Sequence, residues 1–371
     1  MAADEKAITL FLCGDVMLGR GIDQILPHPS DPTLYEHYVG SALDYVHLAE
    51  RAHGPITAPC SFDYVWGDAL PDLDAARVDA RIINLETSVT ASMKPEPKGI
   101  NYKMSPDNVE CIKAADVDCC VLANNHVLDW SVDGLLETLS TLEREGITVA
   151  GAGIDSDQAA TPASISIGED RRVLVFGFGA ITSGIPYDWA AAETRPGVNL
   201  LPDLSAATAE RIRKRILALR RPGDVVVVSV HWGSNWGYQV DTSQREFAHA
   251  LVDAGACDLL HGHSSHHARG IEIYKDRLIL YGCGDFITDY EGIEGYEQFR
   301  GDLAIAYLPR FRKDGALADL VLKPYQMYKF RLQRASETDT AWLQSTLDRE
   351  SARFGTHIAQ KDGALVATVA D

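Results

Sequence analysis

The chain has 371 residues, of which 46% are hydrophobic and 23% are charged. This composition is typical of a globular protein and excludes the disordered and fibrous classes. The 34 Lys and Arg residues are outnumbered by 53 Asp and Glu residues, which gives a net charge of -19. Because nucleic-acid binding depends on clustered positive charge, we expect no nucleic-acid partner.

The N-terminal segment and the cysteines predict a cellular compartment. Acidic residues precede the first short apolar run, whereas a secretory signal begins with basic residues and a longer apolar stretch. No apolar run of the sequence approaches the roughly 20 residues that a membrane span needs. The seven cysteines are odd in number and show no paired spacing of the metal-binding type, so reduced thiols are expected. We therefore predict a cytoplasmic protein with no membrane partner.

Apolar runs of strand length recur along the chain and are mostly continuous, as in strands that are buried on both faces. In chain order they are ITLFLC (8–13), RIINL (81–85), CCVLAN (119–124), ITVAGA (147–152), RVLVFGFGA (172–180), VVVVSVHW (225–232), CDLLHGH (257–263) and RLILYGCG (277–284). Helix-like segments lie between them, at 105–116, 131–146, 205–224 and 242–255. This alternation predicts a layered α/β fold.

Two long segments, 23–72 and 179–202, interrupt the alternation and are predicted to be loops over a site. After about residue 310 the periodicity weakens, and we expect one or two further strands and a terminal helix. We predict a single domain with a core at about 8–310 and a C-terminal extension at about 311–371.

Polar side chains collect at the C-terminal ends of six of these strands. They are Asp15, Asn84 with Glu86, the run Asn124, Asn125 and His126, then His231, His261 with His263, and Asp285. Ligands of α/β sheets gather at that edge, and a divalent cation would offset the charge of such a group. Each residue alone could equally be a turn residue, a helix cap or a surface histidine. Together they predict one metal site, although Mn, Zn, Fe, Mg and Ca remain indistinguishable.

Six short motifs resemble, in order, those of the CapA/PgsA capsule-biosynthesis family: GDVMLGR, NLETSVT, NNHVLDW, SVHWGSNWGY, HGHSSHH and YGCGDF. The resemblance covers about residues 8–310. It implies a calcineurin-like metallophosphatase fold, a four-layer α/β/β/α sandwich with a metal centre at the strand ends. It also implies metal ligands at Asp15, Glu86, Asn125, His231, His261 and His263, with His126 beside the metal.

Two positions depart from the generic metallophosphatase pattern. Met17 stands where the Asp-x-His motif has its histidine, and Glu86 lies near the place of a bridging aspartate. A thioether is a poor ligand for hard cations, so one or two ions remain possible. Capsule proteins of this family are typically membrane-anchored, and no anchor is visible here. A similar cytoplasmic branch of the family epimerises peptide residues during lasso-peptide biosynthesis.

The leading functional hypothesis is therefore a metal-dependent isomerase that epimerises a residue's Cα, from L to D, in a ribosomally made lasso-type precursor peptide. Candidates for the acid/base pair are His126, Asp285, His266, His267 and Cys13. Arg20 could bind a carboxylate or a phosphate group. Trp232, Trp236, Tyr238 and Trp189 could hold an apolar side chain, although these aromatic residues could equally be packing residues.

Two other classes of function stay open at this point. A metallophosphoesterase or a poly-γ-glutamate-related hydrolase would use the same cation to activate water. A non-catalytic CapA-like module would only hold a peptide for a partner enzyme. The oligomeric state cannot be read from the sequence.

Overall fold

The computed structural model describes residues 7–369. The strands are β1 (Ile8–Val16), β2 (Ala80–Leu85), β3 (Ser88–Val89), β4 (Lys103–Met104), β5 (Cys119–Val121), β6 (Thr148–Ala150), β7 (Ala152–Gly153), β8 (Ala163–Ile167), β9 (Arg171–Ala180), β10 (Gly197–Val198), β11 (Leu200–Leu201), β12 (Val225–His231), β13 (Leu259–His263), β14 (Ile271–Tyr274), β15 (Arg277–Leu280), β16 (Asp285–Ile287), β17 (Leu303–Phe311), β18 (Leu317–Tyr328), β19 (Arg331–Arg334), β20 (Thr356–Lys361) and β21 (Ala364–Val369). The α-helices are α1 (Arg20–Ile25), α2 (Leu43–His53), α3 (Ala69–Ala76), α4 (Glu110–Lys113), α5 (Ser131–Arg144), α6 (Ser156–Ala160), α7 (Ala206–Leu219), α8 (Thr242–Asp253) and α9 (Glu337–Ser351).

Two large sheets form the centre of the fold. The first has the order β20-β21-β18-β17-β1-β2-β5-β6, with β16 also beside β1 and β19 beside β18. The second has the order β11-β9-β12-β13-β15-β14, with β8 beside β9. In each sheet a block of parallel strands, β1-β2-β5-β6 or β9-β12-β13-β15, brings several C-terminal strand ends to one edge.

Three apolar clusters separate the layers. One fills the space between the sheets, where Leu10 and Val121 of the first sheet meet Val175 and Val227 of the second. A second covers the outer face of the first sheet with helices α1 to α5. A third covers the outer face of the second sheet with α7 and α8. The four-layer α/β/β/α sandwich expected from the sequence is therefore confirmed.

Segment 23–72 differs from the predicted loop. It contains α2 and the first turn of α3. In α2, Tyr45 and Ala49 lie one helical turn apart and are the only fully buried residues, so the face that packs on the core is narrow. A narrow apolar stripe of this kind gives little periodic signal. The helix predicted at 105–116 is reduced to a 3₁₀ turn at Pro106–Asn108 and the short α4.

The strand predicted at 277–284 is shorter in the structure. β15 ends at Leu280, and the chain then crosses from the second sheet to the first, where Asp285 begins β16. β17 and β18 continue the first sheet as antiparallel strands beside β1, and β21 pairs with β18. Among the residues from 7 to 369, no helix has the length and hydrophobicity of a membrane span.

Candidate active site

Asp15 lies at the C-terminal end of β1, directly opposite Asp285 of β16. Gly14 permits this pairing, because a Cβ at that position would lie 1.6 Å from the carbonyl oxygen of Gly284. The Asp15 N–H instead donates to this oxygen at 2.9 Å. Two aspartates thus lie side by side at the edge of the first sheet. A residue larger than glycine at position 14 would prevent this arrangement.

The first group of potential metal ligands joins the two sheets. Asp15 comes from the first sheet, and His231 and His263 come from the ends of β12 and β13 in the second. The Nδ1 atoms of the two histidines are 2.7 Å apart, and each lies 3.9 to 4.0 Å from Oδ1 of Asp15. All three residues are fully buried. Three such atoms are close enough to bind one cation.

A second group shares Asp15 and adds His266 and Asp285. His266 Nδ1 lies 3.0 and 3.1 Å from the two carboxylate oxygens of Asp285. Its Nε2 lies 3.1 Å from the side-chain nitrogen of Asn235. The site therefore offers two groups of three potential ligands, and in the second group His266 and Asp285 also contact each other.

Glu86 and Asn125 lie on the other side of His231. Oε1 of Glu86 is 3.6 Å from His231 Nε2, and Oδ1 of Asn125 is 3.0 Å from the same nitrogen. Asn84, at the end of β2, donates from Nδ2 to Asp15 at 2.7 Å. The backbone N–H of Ser264 donates to the other oxygen of Asp15 at 3.2 Å. These contacts fix the orientation of the central carboxylate.

A second histidine–aspartate pair lies next to Glu86. His126 Nδ1 is 2.6 Å from Oδ2 of Asp129, while its Nε2 is 3.9 Å from Oε1 of Glu86. Lys98 donates to Oδ1 of Asp129 at 2.7 Å and also contacts the Asn125 carbonyl. Tyr102 stacks on the His126 ring at 3.8 Å between centroids. The ring of His126 is thus held on its face and at its Nδ1 atom.

The electrostatics of the site favour a cation. Burial raises the pKa of Asp15 to about 7, and repulsion from Asp285 adds to this effect. Burial likewise raises the pKa of Glu86 well above its usual range, and lowers the pKa of His231 and His263 well below theirs. Buried carboxylates beside neutral imidazoles are the donor set that divalent metals bind. These residues therefore fit a divalent cation, whose identity they leave open.

The pKa values of the two paired histidines shift in opposite directions. Burial lowers the pKa of His126 to about 4, and Asp129 only partly offsets this effect. Burial would also lower the pKa of His266, but the neighbouring Asp285 carboxylate raises it above the usual value. In the metal-free protein at neutral pH, His126 is therefore neutral, whereas the pKa of His266 lies above its usual value.

Several sequence-predicted site residues lie elsewhere. His261 belongs to neither group of donors, because its Nδ1 contacts Ser229 Oγ at 3.0 Å and its Nε2 contacts the Cys13 carbonyl at 2.7 Å. The Cys13 side chain is buried in the helix-facing apolar cluster, and burial raises its pKa well above the usual value. Neither residue is placed for the role predicted from the sequence.

Met17 replaces the histidine of the generic motif and takes a structural position. Its Sδ atom accepts a hydrogen bond from the Gly19 N–H at 3.2 Å, and the side chain is fully buried. The sulfur therefore faces the backbone of its own turn.

A cavity of about 690 Å³ opens above these groups. Its floor includes Glu86, Asn125, His126, Ser264 and His266, and its walls include Arg20, Trp236 and several tyrosines. Arg20 is buried and paired with Asp289 and Glu36, so its guanidinium is engaged within the protein. Of the predicted substrate-binding residues, Arg20 and Trp236 line the cavity.

Trp232, Tyr238 and His267 take other positions. Trp232 is buried under the outer face of the second sheet, where Nε1 donates to the Tyr281 carbonyl at 3.0 Å. Its predicted substrate contact is wrong, since it packs in the core. Tyr238 packs edge-on against His267, which accepts from the Gly237 N–H and stacks on Phe299. The His267 ring also lies parallel to the Trp236 ring, with 6.1 Å between the centroids, and neither Tyr238 nor His267 lines the cavity.

Sequence reasoning missed Asp129, Lys98 and the pair Tyr102 and Tyr290. Asp129 follows His126 by three residues, a spacing that could have signalled a carboxylate behind the imidazole. Lys98 and Tyr102 lie in an irregular segment without periodic signal, and Tyr290 follows a strand that was not predicted. The hydroxyl oxygens of Tyr102 and Tyr290 are 2.7 Å apart, which closes the cavity wall between His126 and His266.

The part of the chain that carries this site also matches a known protein family. The model of a family described as bacterial capsule synthesis protein PGA_cap matches residues 9–290. The chain belongs to this family. All of the donor residues discussed above, from Asp15 to Asp285, lie inside the matched PGA_cap region.

Similarity to individual known proteins extends beyond the region that the family model matches. A probable polyglutamine synthesis accessory protein of Mycobacterium tuberculosis is 46% identical over 372 residues, covering 100% of this chain and 98% of the relative. The PGA biosynthesis protein CapA of Bacillus subtilis is 26% identical over 313 residues, which cover 84% of this chain and 70% of the relative. The capsule biosynthesis protein CapA of Bacillus anthracis is 22% identical over 86% of this chain and 67% of its own.

Proposed function

We propose that this protein is a divalent-metal-dependent enzyme that epimerises a Cα atom in a peptide. The observation that supports it best is the presence of two separate histidine–aspartate pairs on one cavity floor. His126 with Asp129 lies beside Glu86, and His266 with Asp285 lies beside Asp15. Hydrolysis needs one such pair and a water molecule, whereas epimerisation by two groups needs a proton acceptor and a separate donor.

Asp15, His231 and His263 would hold the cation, with Glu86 and Asn125 next to them. When bound, the cation supplies electrostatic stabilisation for the negative charge that forms on the carbonyl oxygen next to the reacting Cα. His126 accepts the Cα proton at Nε2, while Asp129 holds Nδ1 and so fixes the direction of the ring. The electron pair of the broken Cα–H bond stays on the peptide.

His266 then donates its proton to the opposite face of the Cα atom, which forms the new Cα–H bond with inverted configuration. After this step His126 is protonated and His266 is neutral, and proton exchange with water restores both rings. In this scheme His266 is a proton donor and not a metal ligand. One cation per chain is therefore expected, and two bound cations would contradict the role of His266.

The proposal is tested by deuterium uptake in heavy water. The metal-loaded protein is incubated with a pool of ribosomal-type precursor peptides, and deuterium at Cα is followed by mass spectrometry and chiral amino-acid analysis. We expect incorporation of one deuteron together with inversion, both of which chelation abolishes. Release of a new amine or of phosphate without deuterium uptake would instead identify a hydrolase of amide or phosphate ester bonds. The names of the two relatives from Mycobacterium tuberculosis and Bacillus subtilis make glutamyl amides the first substrates to include.

A further inference from the structure

The Lys and Arg side chains that line the cavity are all paired with carboxylates of the protein. Arg20 contacts Asp289 and Glu36, and Lys98 contacts Asp129 at 2.7 Å. Arg300 at the rim contacts Asp302 and Asp339, both at 2.8 Å. Among the described lining residues, no Lys or Arg side chain is therefore left to neutralise an acidic substrate.

The rim of the cavity carries negative charge of its own. Glu294 and Glu297 are exposed lining residues without an ion pair to any residue in the described part of the chain. Glu297 accepts a hydrogen bond from the Gly295 N–H at 2.8 Å, which fixes its loop but leaves its charge in place. A polyanion that entered the cavity would pass these two carboxylates and meet no free positive side chain.

Exposed apolar side chains line the same opening. Tyr296 is 49% exposed and stacks flat on Trp236, with 4.1 Å between the ring centroids. Ile293 on the same loop is 50% exposed, and Tyr38 on the segment before α2 is 70% exposed. Large apolar side chains that gather around a cavity at this level of exposure are typical of a surface that binds an apolar ligand group.

We propose that the cavity selects an uncharged or positively charged peptide segment with a bulky apolar side chain and excludes acidic glutamyl polymers. This inference rests on the proposed function, because it names the substrate class of that same cavity. The paired Lys and Arg side chains, together with Glu294 and Glu297 at the rim, determine which charge a bound peptide can carry. Tyr38, Ile293 and Tyr296 form the apolar contact.

The test compares two labelled ligands on the full-length, metal-loaded protein. One is a capped alanine hexapeptide with a central tryptophan, and the other is a γ-linked hexaglutamate with the same neutral fluorophore. Binding is measured by fluorescence anisotropy at low and at high salt. We expect the tryptophan peptide to bind at least about tenfold more tightly. Raising the salt concentration should narrow this difference, because salt screens the repulsion of hexaglutamate.

Variants separate the two parts of the inference. Tyr38→Ala and Tyr296→Ala are each expected to weaken binding of the tryptophan peptide by about tenfold. The matched control is Tyr187→Ala, because Tyr187 is 68% exposed and lies outside the cavity lining. The double variant Glu294→Gln with Glu297→Gln should strengthen binding of hexaglutamate several-fold and leave the tryptophan peptide nearly unchanged.

Equal or tighter binding of hexaglutamate, or no binding of either ligand, would overturn the inference. The deuterium assay keeps this result apart from the proposed function. A protein that exchanges Cα protons in glutamyl polymers retains the proposed function but contradicts the inferred substrate class. A protein that prefers the tryptophan peptide but never exchanges Cα protons retains the substrate class and contradicts the proposed reaction.

Discussion

Asp15 is a buried carboxylate whose ion pairs in the described structure involve only histidines. Its pKa in the folded, metal-free protein is raised to about 7, from an unfolded value near 3.8. Between these values the folded state holds a proton that the unfolded state has released. This group therefore destabilises the metal-free fold as the pH rises from about 4 to about 7.

We predict that Asp15→Asn removes this pH dependence. The chelated wild-type protein should lose a few kcal/mol of unfolding free energy between about pH 4 and about pH 8 through this group, and the variant should be more stable than wild type at the upper value. Urea unfolding at both pH values measures the effect. Parallel wild-type and variant curves would show that Asp15 stays ionised in the folded chain.

His126 depends on Asp129 for the position of its ring. Asp129→Asn is predicted to lower the rate of Cα proton exchange by about 10² to 10⁴ with metal content unchanged, because the amide fixes the ring less well. Lys98 also loses its carboxylate partner in this variant. The matched control is Asp348→Asn, since Asp348 contacts the exposed His357 at 3.1 Å. An Asp129→Asn protein with full exchange activity would exclude His126 as the proton acceptor.

At the scale of elements, the crossing of the chain from β15 to β16 brings Asp285 beside Asp15. Gly14 lies under this crossing, where a Cβ would overlap the backbone of Gly284. We predict that Gly14→Ala separates the two aspartates, weakens metal binding by at least about tenfold and lowers stability by roughly 2 kcal/mol or more. Calorimetric metal titration and thermal unfolding measure these effects.

Gly40→Ala provides the control for this substitution, because a Cβ at Gly40 has no neighbouring atom within 4 Å and Gly40 does not line the cavity. It should leave both metal affinity and stability within about 0.5 kcal/mol of wild type. Normal metal binding by Gly14→Ala would mean that the crossing tolerates more movement than its contacts indicate.

The elements that the sequence predicts best are those with strong periodicity. The continuous apolar runs correspond to β1, β2, β5, β9, β12, β13 and β15, and the glycines at 146 and 255 follow α5 and α8 with positive φ angles. α2 was not predicted, since its apolar stripe is narrow. β16 was not predicted either, because only the pairing with β1 distinguishes residues 285–287 from a loop.

At the scale of the molecule, the first donor group connects the two sheets, with Asp15 from one and His231 and His263 from the other. A cation bound there would stabilise the folded chain as a whole, since the unfolded chain does not hold these atoms together. We predict that Mn²⁺ at about 100 times its dissociation constant raises the unfolding free energy by about 2.7 kcal/mol. His263→Ala should abolish the response, whereas His357→Ala should keep it. A response that survives His263→Ala would locate the cation elsewhere.

The positions of the donors along the sequence predicted a site at the strand ends, but not which donors share a cation. His261 and His263 both follow the pattern, and only the approach of β13 to β1 decides that His261 contacts the Cys13 carbonyl while His263 faces Asp15. The contacts that surround His126 and His266 depend on irregular segments, which contribute Lys98, Asp129, Tyr102 and Tyr290. Such segments take their conformation from tertiary contacts that one sequence does not encode locally.

The central place of β1 in the first sheet bears on how the protein is made. β1 lies between β2 and β17, and Asp15 of β1 faces Asp285 of β16. The pairing of β1 with β16 and β17 therefore joins residues that are far apart in the sequence. During synthesis on the ribosome, β1 leaves the ribosome early, but it can pair with β16 only after residue 285 has been synthesised. Contacts over such intervals fold slowly, and incomplete chains expose apolar strands meanwhile. Nascent chains that stop before β16 should therefore depend strongly on chaperones.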